Sequence, residues 1–462
     1  MKKENNISES DLSRGNFSGK MGYVLSVAGS AVGLGNIWRF PYLAAKYGGE
    51  TFLLVYLILM ITFGYTLIIS ETTLGRMTKK SPVGAFQSFG STFSFKFGGW
   101  INAIVPMLIA PYYCVIGGWV LKYLVAYIKG NTAAVAQDSY FTSFITTGAS
   151  VEIYFIIFSL ITATIVLFGV KKGVERVSKF SMPLLLILAV FVTIYSITRP
   201  GAMEGVKYFL IPDLSKLSLM TFVAAMGQLF YSLSLAMGIL YTYGSYLKKD
   251  VDIGASTSQI ELFDTGVAIL AGLMIIPAVF EFSHGQPETL NAGPALMFIT
   301  IPKIFESMGF GTIIGFVFFL LVFVAAITSS ISLAETCAST FEDQFKLSRK
   351  KSSVLVALII IGLGSLSALG FSSLSFIKII NMNFLDFFDF ITNSIMMPIA
   401  ALATLLLILR VVGVEKIAQE VEISSKFKRK KMYNFFIKYL AAICLIVILI
   451  SSIANVFGWI KL

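Results

Sequence analysis

The run Gly29-Ser30-Ala31-Val32-Gly33-Leu34-Gly35-Asn36-Ile37-Trp38-Arg39-Phe40-Pro41-Tyr42 sits in the middle of an apolar stretch long enough to cross a bilayer. A membrane helix ordinarily avoids what this one carries. Gly29, Gly33 and Gly35 fall within seven residues, and Asn36 and Arg39 follow at once. Glycine lets a helix unwind, and in hydrocarbon unwound backbone persists only where it is buried in protein or lines a cavity. Asn and Arg at membrane depth are costly and mark functional sites. A glycine-rich packing helix would account for Gly29-xxx-Gly33 but has no use for Asn36 or Arg39. The stretch reads as a broken helix whose exposed N–H and C=O groups bind a ligand and an ion.

The rest of the chain fits such an environment. Of its 462 residues 56% are hydrophobic, and the mean hydropathy is +0.82, which indicates a polytopic helical membrane protein. The polar N-terminus has no signal-peptide core, so the first span is expected to be retained. A net charge of +11 raises the question of nucleic acid, but the charges lie in alternate loops. They cluster at Lys2, Lys3, Arg14 and Lys20; Arg76, Lys79 and Lys80; Lys171, Lys172, Arg176 and Lys179; Lys248 and Lys249; Lys346 and Arg349–Lys351; and Lys426 and Lys428–Lys431. That pattern places the N-terminus in the cytoplasm and makes the charge a matter of topology, with the lipid bilayer rather than nucleic acid as partner. Cys114, Cys337 and Cys444 have no metal-ligand spacing, and His284 is the only histidine, so a zinc or triad enzyme is not expected.

Eleven spans are expected near 22–45, 51–74, 98–128, 153–170, 179–198, 220–245, 256–282, 311–341, 354–370, 383–412 and 435–458. An odd count puts the C-terminus outside. The second interruption is Gly227-Gln-Leu-Phe-Tyr-Ser-Leu-Ser-Leu-Ala-Met-Gly238 in span 6, where Ser232 and Ser234 can bond freed backbone. Interrupted segments at corresponding positions of two halves point to a transport site. The expected divisions are a tail (1–21), a first repeat (22–198), an outer loop (199–219), a second repeat (220–412), a basic cytoplasmic loop (413–434) and a last span with an outer C-terminus (435–462).

Taken together, GSAVGLGNIWRFPY in span 1, Pro111-Tyr112-Tyr113 in span 3, the span 6 break, Asp264 in span 7, Thr328-Ser329-Ser330 in span 8 and Asp389 in span 10 resemble the neurotransmitter:sodium symporter family, above all its bacterial amino-acid transporters. The resemblance implies an all-α fold of two inverted five-helix repeats with helices 1 and 6 broken. It implies that Ala31, Gly33, Gly35, Ile109, Ala110, Tyr113, Tyr231, Ser232, Ser234, Ala236, Met237, Ser330 and Leu333 surround the substrate. Tyr113 and the Gly35 N–H would receive its carboxylate, and the carbonyls of Ala31, Tyr231 and Ser232 with the Ser234 hydroxyl its ammonium. A first sodium ion would lie among Ala31, Asn36, Ser232 and Asp264, and a second among Gly29, Val32, Ala325, Thr328 and Ser329. Arg39 and Asp389, bridged by water or in contact above Tyr113 and Tyr231, would form the outer gate. Arg14, Phe17, Tyr246 and Asp343 would form the inner one, and Gly173 and Pro183 a place where span 5 unwinds. The family often has a twelfth span, and none is expected here.

Several of these residues also have plainer readings. The hydroxyls of span 8 can bond their own helix, Asp264 can be a first-turn acid, Tyr113 can make an interhelical bond, and Gly173 with Pro183 can be a loop glycine and a first-turn proline. Glu71 near the end of span 2 is read as pairing with a basic loop, without a transport role.

Asp264 is the informative departure. Chloride-dependent members carry Asn and Ser nearby, whereas a fixed carboxylate here implies a chloride-independent transporter in which Asp264 helps ligate sodium, with proton counter-transport left open. The expected function is sodium-coupled symport of a hydrophobic or aromatic L-amino acid by alternating access, with no enzymatic activity and a monomer as the working unit. Two alternatives stand: a same-fold carrier of an amine or betaine, and a non-transporting amino-acid sensor.

Overall fold

The computed structural model describes residues 15–211, 213–282 and 293–459, almost entirely helical. Among the described residues nine helices are long and apolar enough to cross a membrane unaided. These are span 2 (Glu50–Thr78), span 3 (Phe93–Ile128), span 4 (Gly148–Leu167), span 5 (Val170–Ile197), span 7 (Ile253–Phe282), span 8 (Gly311–Phe345), span 9 (Arg349–Leu369), span 10 (Phe384–Val412) and span 11 (Lys430–Val456). The other two spans are composite. Span 1 consists of Lys20–Ala31 (1a), then a wide turn Gly35–Arg39 running into Phe40–Lys46 (together 1b). Span 6 consists of Leu219–Ser232 (6a) and Ile239–Ser245 (6b). The two interrupted helices each open a set of five.

Several helices begin earlier than charge alone suggested. Span 5 starts at Val170 rather than 179, and span 11 at Lys430 rather than 435. The reason is that Lys171, Lys172, Arg176 and Lys179 all point outward from a continuing helix, so their charges reach water while the backbone stays hydrogen-bonded. Span 3, at 36 residues, is about 54 Å long at 1.5 Å per residue and overruns a hydrocarbon core of about 30 Å.

Burial sorts the spans into interior and periphery. The most apolar window of span 3 is 78% buried and that of span 11 only 22%. Peripheral helices turn large apolar side chains outward at helical spacing, as with Ile153, Ile157 and Leu160 in span 4 or Ile443, Ile446 and Ile450 in span 11. In water such faces would drive association; here they meet lipid. Spans 3 and 8 pack along each other, and 1a and 6b lie against span 8.

The connections carry structure of their own. Ala202–Leu210 forms a short helix in the 199–219 loop. In the loop after span 7, residues 283–292, with His284, lie outside the described residues, and the remainder is helical over Leu296–Thr300 and Ile301–Ser307. Phe298 of that loop is wedged among Trp119, Tyr123, Phe141 and Phe319. The 413–434 segment, expected as a loop, contains the helix Val414–Glu422. Its buried Glu420 takes Arg76 of span 2 at 2.9 Å and Lys249 at 2.7 Å.

Candidate functional site

The site is built at the two breaks. In span 1 the last turn ends where Val32 goes extended (φ −74°, ψ 90°). Gly33 and Gly35 follow with no room for a side chain: a Cβ on Gly33 would meet Ser329 Oγ at 2.7 Å, and one on Gly35 would meet Tyr231 Cδ1 at 2.7 Å. In span 6 three residues take positive φ, Ser234 (53°), Ala236 (56°) and Gly238 (68°). Non-glycine residues rarely adopt that conformation outside strained functional segments.

Freed backbone must find partners in an apolar interior. One partner is Glu71. It is fully buried, and its Oε1 accepts the Ala236 N–H at 2.9 Å. This corrects the sequence reading: among the described residues Glu71 makes no ion pair within 4.0 Å, and it holds the unwound part of span 6. Its signal in the sequence was a carboxylate within an apolar span, five residues before Arg76. Gln228 similarly donates to the Gly35 carbonyl at 3.0 Å.

Asn36, Ser232 and Asp264 meet between the breaks and span 7. Asp264 Oδ1 accepts from Asn36 Nδ2 at 2.9 Å and from Ser232 Oγ at 2.7 Å. Its Oδ2 accepts from the Tyr56 hydroxyl at 2.7 Å. Asp264 is fully buried, and no ion pair within 4.0 Å among the described residues involves it. Tyr56 was not anticipated; a lone tyrosine in an apolar span carries no local signal. Ala31 is buried on the wall of the same region.

A second gathering of oxygens joins span 1a to span 8. Ser329 Oγ donates to the Ser30 carbonyl at 3.1 Å and lies 3.4 Å from the Gly29 carbonyl. Thr328 Oγ1 donates to the Ala325 carbonyl at 3.0 Å. A Cβ on Gly29 would stand 3.2 Å from Thr328 Cβ, so the glycine permits this approach. Val32 is the residue at which the helix opens.

Between these two groups lies a cavity of about 30 Å³. Ala31, Gly33, Gly35, Ile109, Tyr113, Tyr231, Ser232, Ser234, Met237 and Leu333 line it as expected. Ser30, Leu34, Ile239 and Ser329 join them. Ser30 and Ser234 share a hydrogen bond of 3.0 Å across the two breaks. Three expected residues, Ala110, Ala236 and Ser330, are not on the lining. Ser330 turns to span 4, its Oγ 2.9 Å from Thr162 Oγ1; neighbours on a helix point about 100° apart, so once Ser329 faces the cavity Ser330 cannot. Ala236 is drawn off the wall by its bond to Glu71. The Tyr113 hydroxyl is held over the start of span 1b, 3.4 Å from the Leu34 N–H.

Tyr231 separates this cavity from a vestibule of about 580 Å³ bordered by Arg39, Tyr42, Asp386 and Asp389. Arg39 and Asp389 share the vestibule without an ion pair within 4.0 Å. Asp389 Oδ1 is taken by Asn393 Nδ2, one turn along its own helix, at 2.6 Å, and Arg39 lies over the Tyr231 ring at 5.3 Å. At the opposite, basic end, Phe17 is buried against Tyr23, Tyr243 and Tyr246, and its N–H reaches the Tyr246 carbonyl at 3.3 Å. The Tyr246 hydroxyl goes to Glu335 at 2.7 Å. Asp343 accepts the Ser81 N–H at 2.6 Å, and Arg14 lies outside the described residues. Gly173 sits in the wide first turn of span 5, and Pro183 falls inside that helix, which rules out the loop-glycine and first-turn reading.

Comparison with known proteins matches the chain over residues 14–143 and 141–459 to the model of the sodium:neurotransmitter symporter family. It is 34% identical over 443 residues to the uncharacterised sodium-dependent transporter YhdH of Bacillus subtilis, covering 95% of this chain and 97% of that one. It is 31% identical over 455 residues to an uncharacterised sodium-dependent transporter of Haemophilus influenzae, covering 95% and 98%. The crystal structure of MhsT in complex with L-phenylalanine superposes with a TM-score of 0.85 at 36% identity, covering 95% of this chain and 100% of that one.

Proposed function

The chain belongs to the sodium:neurotransmitter symporter family, a multi-pass membrane protein of two inverted five-helix repeats, and on that premise we propose that it carries a hydrophobic or aromatic L-amino acid into the cell with sodium, without chloride. The observation that carries the reading is the Asp264 carboxylate, fully buried and held, among the described residues, by the neutral donors Asn36, Tyr56 and Ser232. A buried charge without a counter-charge costs several kcal/mol. A cation bound among Asp264, Asn36, Ser232 and the Ala31 carbonyl supplies that counter-charge, so no chloride is needed.

The same site couples ion to substrate. The substrate carboxylate, placed at the start of span 1b by the Gly35 N–H and the Tyr113 hydroxyl, meets a helix end that favours anions and adds an oxygen to the sodium. Neither charge is well paired in the membrane interior without the other. The second sodium takes the Gly29, Val32 and Ala325 carbonyls with the Thr328 and Ser329 hydroxyls, whose protons rotate away when the ion enters. Oxygen-only ligands of low charge suit a hard monovalent cation. The membrane potential then contributes about 2.3 kcal/mol per charge per 100 mV.

The basic end of the bundle faces the cytoplasm, with the N-terminus inside and the C-terminus outside. Arg39 and Asp389 close the outer side above Tyr231, Phe17 and Tyr246 the inner. Ile109, Met237, Ile239 and Leu333 make the side-chain wall apolar, and methionine adapts to shape, which favours a hydrophobic substrate; the related MhsT holds L-phenylalanine. The test is thermal stability of the purified protein against the twenty amino acids, in sodium and in potassium, both chloride-free. Sodium-only stabilisation by a few hydrophobic amino acids is expected. A requirement for chloride removes the role given to Asp264, and no response to any amino acid hands the site to an amine or betaine.

A further inference from the structure

A third cavity, of about 300 Å³, lies away from the central site. It is bordered by Lys46, Tyr47 and Gly48 at the end of span 1b, by Tyr208 and Lys216 of the 199–219 loop, and by Ser218 and Thr221 where span 6a begins. We propose that this pocket is an outer docking site for the zwitterionic head of the incoming amino acid, a reading that rests on the transport function above.

Both ammonium groups stand beside tyrosines. Lys46 Nζ stands 5.3 Å from the Tyr47 ring centre and 5.7 Å from that of Tyr42, and Lys216 Nζ stands 4.8 Å from that of Tyr208. Lys46 also makes side-chain hydrogen bonds to Tyr42 and Tyr47, which fix its position and use two of its three N–H donors. Lys46 has no carboxylate within 4.0 Å among the described residues. Lys216 is 3.8 Å from both Glu50 Oε1 and Asp213 Oδ2, beyond hydrogen-bond reach.

The walls are built rather than incidental. The Tyr208 hydroxyl donates to the Ala45 carbonyl at 2.7 Å, fixing the loop to span 1b. Gly48, at φ +87°, lets the Lys216 stem approach to where a Cβ would stand 3.0 Å from it. Ser218 caps the start of span 6a by accepting the Thr221 N–H at 3.0 Å. Glu50 and Asp213 behind Lys216 keep the region near neutral overall, so it suits a zwitterion better than a bare anion. The position also fits an entry route: Tyr42, against Lys46, borders the vestibule, as do Val223 and Ala224 of span 6a. Every amino acid presents the same carboxylate and ammonium, so such a site captures substrate without choosing among side chains.

Stopped-flow tryptophan fluorescence on the full chain, mixing with L-phenylalanine at fixed sodium, tests the assignment. The Lys46→Gln/Lys216→Gln double variant is expected to associate roughly two- to five-fold more slowly at low ionic strength. Its dissociation should slow in proportion, leaving the equilibrium constant at the central site unchanged, and added salt should erase the difference. Equal association rates overturn the proposal, as does an equal slowing by Lys303→Gln, a charge control at the same end. In nanodiscs, slowing of the wild type but not of the double variant by phosphatidylglycerol in place of phosphatidylcholine would give the pocket to a lipid headgroup and overturn the substrate assignment. A wild type that answers no amino acid in sodium removes the transport reading, and this proposal with it.

Discussion

Asp264 and Glu71 are both buried carboxylates, and they do opposite work. Asp264 is held by three neutral donors, and the role proposed for it is to meet an ion with its charge. Asp264→Asn keeps the size and a hydrogen-bonding group but removes that charge. Charged hydrogen bonds are worth about 1.5–3 kcal/mol, so sodium affinity, read from sodium titrations of amino-acid stabilisation, should fall roughly 10- to 100-fold, with added chloride restoring part of it. Unchanged sodium affinity would remove Asp264 from the ion site. Glu71 works on the backbone, through the Ala236 N–H. Glu71→Gln preserves an acceptor and should leave substrate binding within a few-fold of wild type. Glu71→Ala orphans a buried N–H, costing about 1–3 kcal/mol, and should lower both melting temperature and substrate affinity. Equal behaviour of the two variants would mean that the bond to Ala236 is not what Glu71 contributes.

At the scale of the element, the broken helices depend on glycines placed where another group occupies the space. Gly238 opens span 6b at φ +68°, and a Cβ there would meet Pro82 Cγ at 2.6 Å and the Asn102 carbonyl at 2.7 Å. Gly238→Ala must bear a left-handed conformation, about 1–2 kcal/mol, and push apart spans 3 and 6. The expected result is a melting temperature several degrees lower and loss of sodium-driven uptake in proteoliposomes; full uptake by a stable variant would show that this turn can move freely. Span 8 shows the complementary rule. Ser329 faces the breaks and Ser330 faces span 4, so Ser329→Ala should abolish sodium-dependent stabilisation while Ser330→Ala should leave it nearly intact. Swapped outcomes would mean that span 8 is rotated by one residue from the arrangement described.

At the scale of the whole molecule, the segment after span 10 straps the basic end together. Glu420 joins Arg76 of span 2 and Lys249, Arg429 joins Glu261 of span 7 at 2.9 Å, and the Tyr433 hydroxyl lies 3.1 Å from Ser70 Oγ of span 2. Arg76 is fully buried. Removing one partner of a buried ion pair costs about 3–5 kcal/mol, so Arg76→Ala should lower the unfolding temperature markedly while the remaining folded protein keeps sodium-dependent amino-acid affinity. Loss of affinity at temperatures where the variant is folded would tie this strap to the transport site.

The membrane class, the eleven spans, the two broken helices and most of the residues around the central cavity are legible in the sequence. Those features depend on local chemistry: an apolar run of the right length, glycines beside Asn36 and Arg39, and a carboxylate at membrane depth. Which neighbours share a face, and which groups meet, depends on how the helices assemble. The tertiary structure turned Ser330 to span 4 because adjacent helical residues diverge. It gave Glu71 and Tyr56 their partners, which are more than 160 positions away in the chain. It left Arg39 on Tyr231 and Asp389 on Asn393 instead of on each other. Such pairings are settled by packing among distant spans, where each buried polar group takes the nearest partner the assembled helices offer, and no local pattern records that choice.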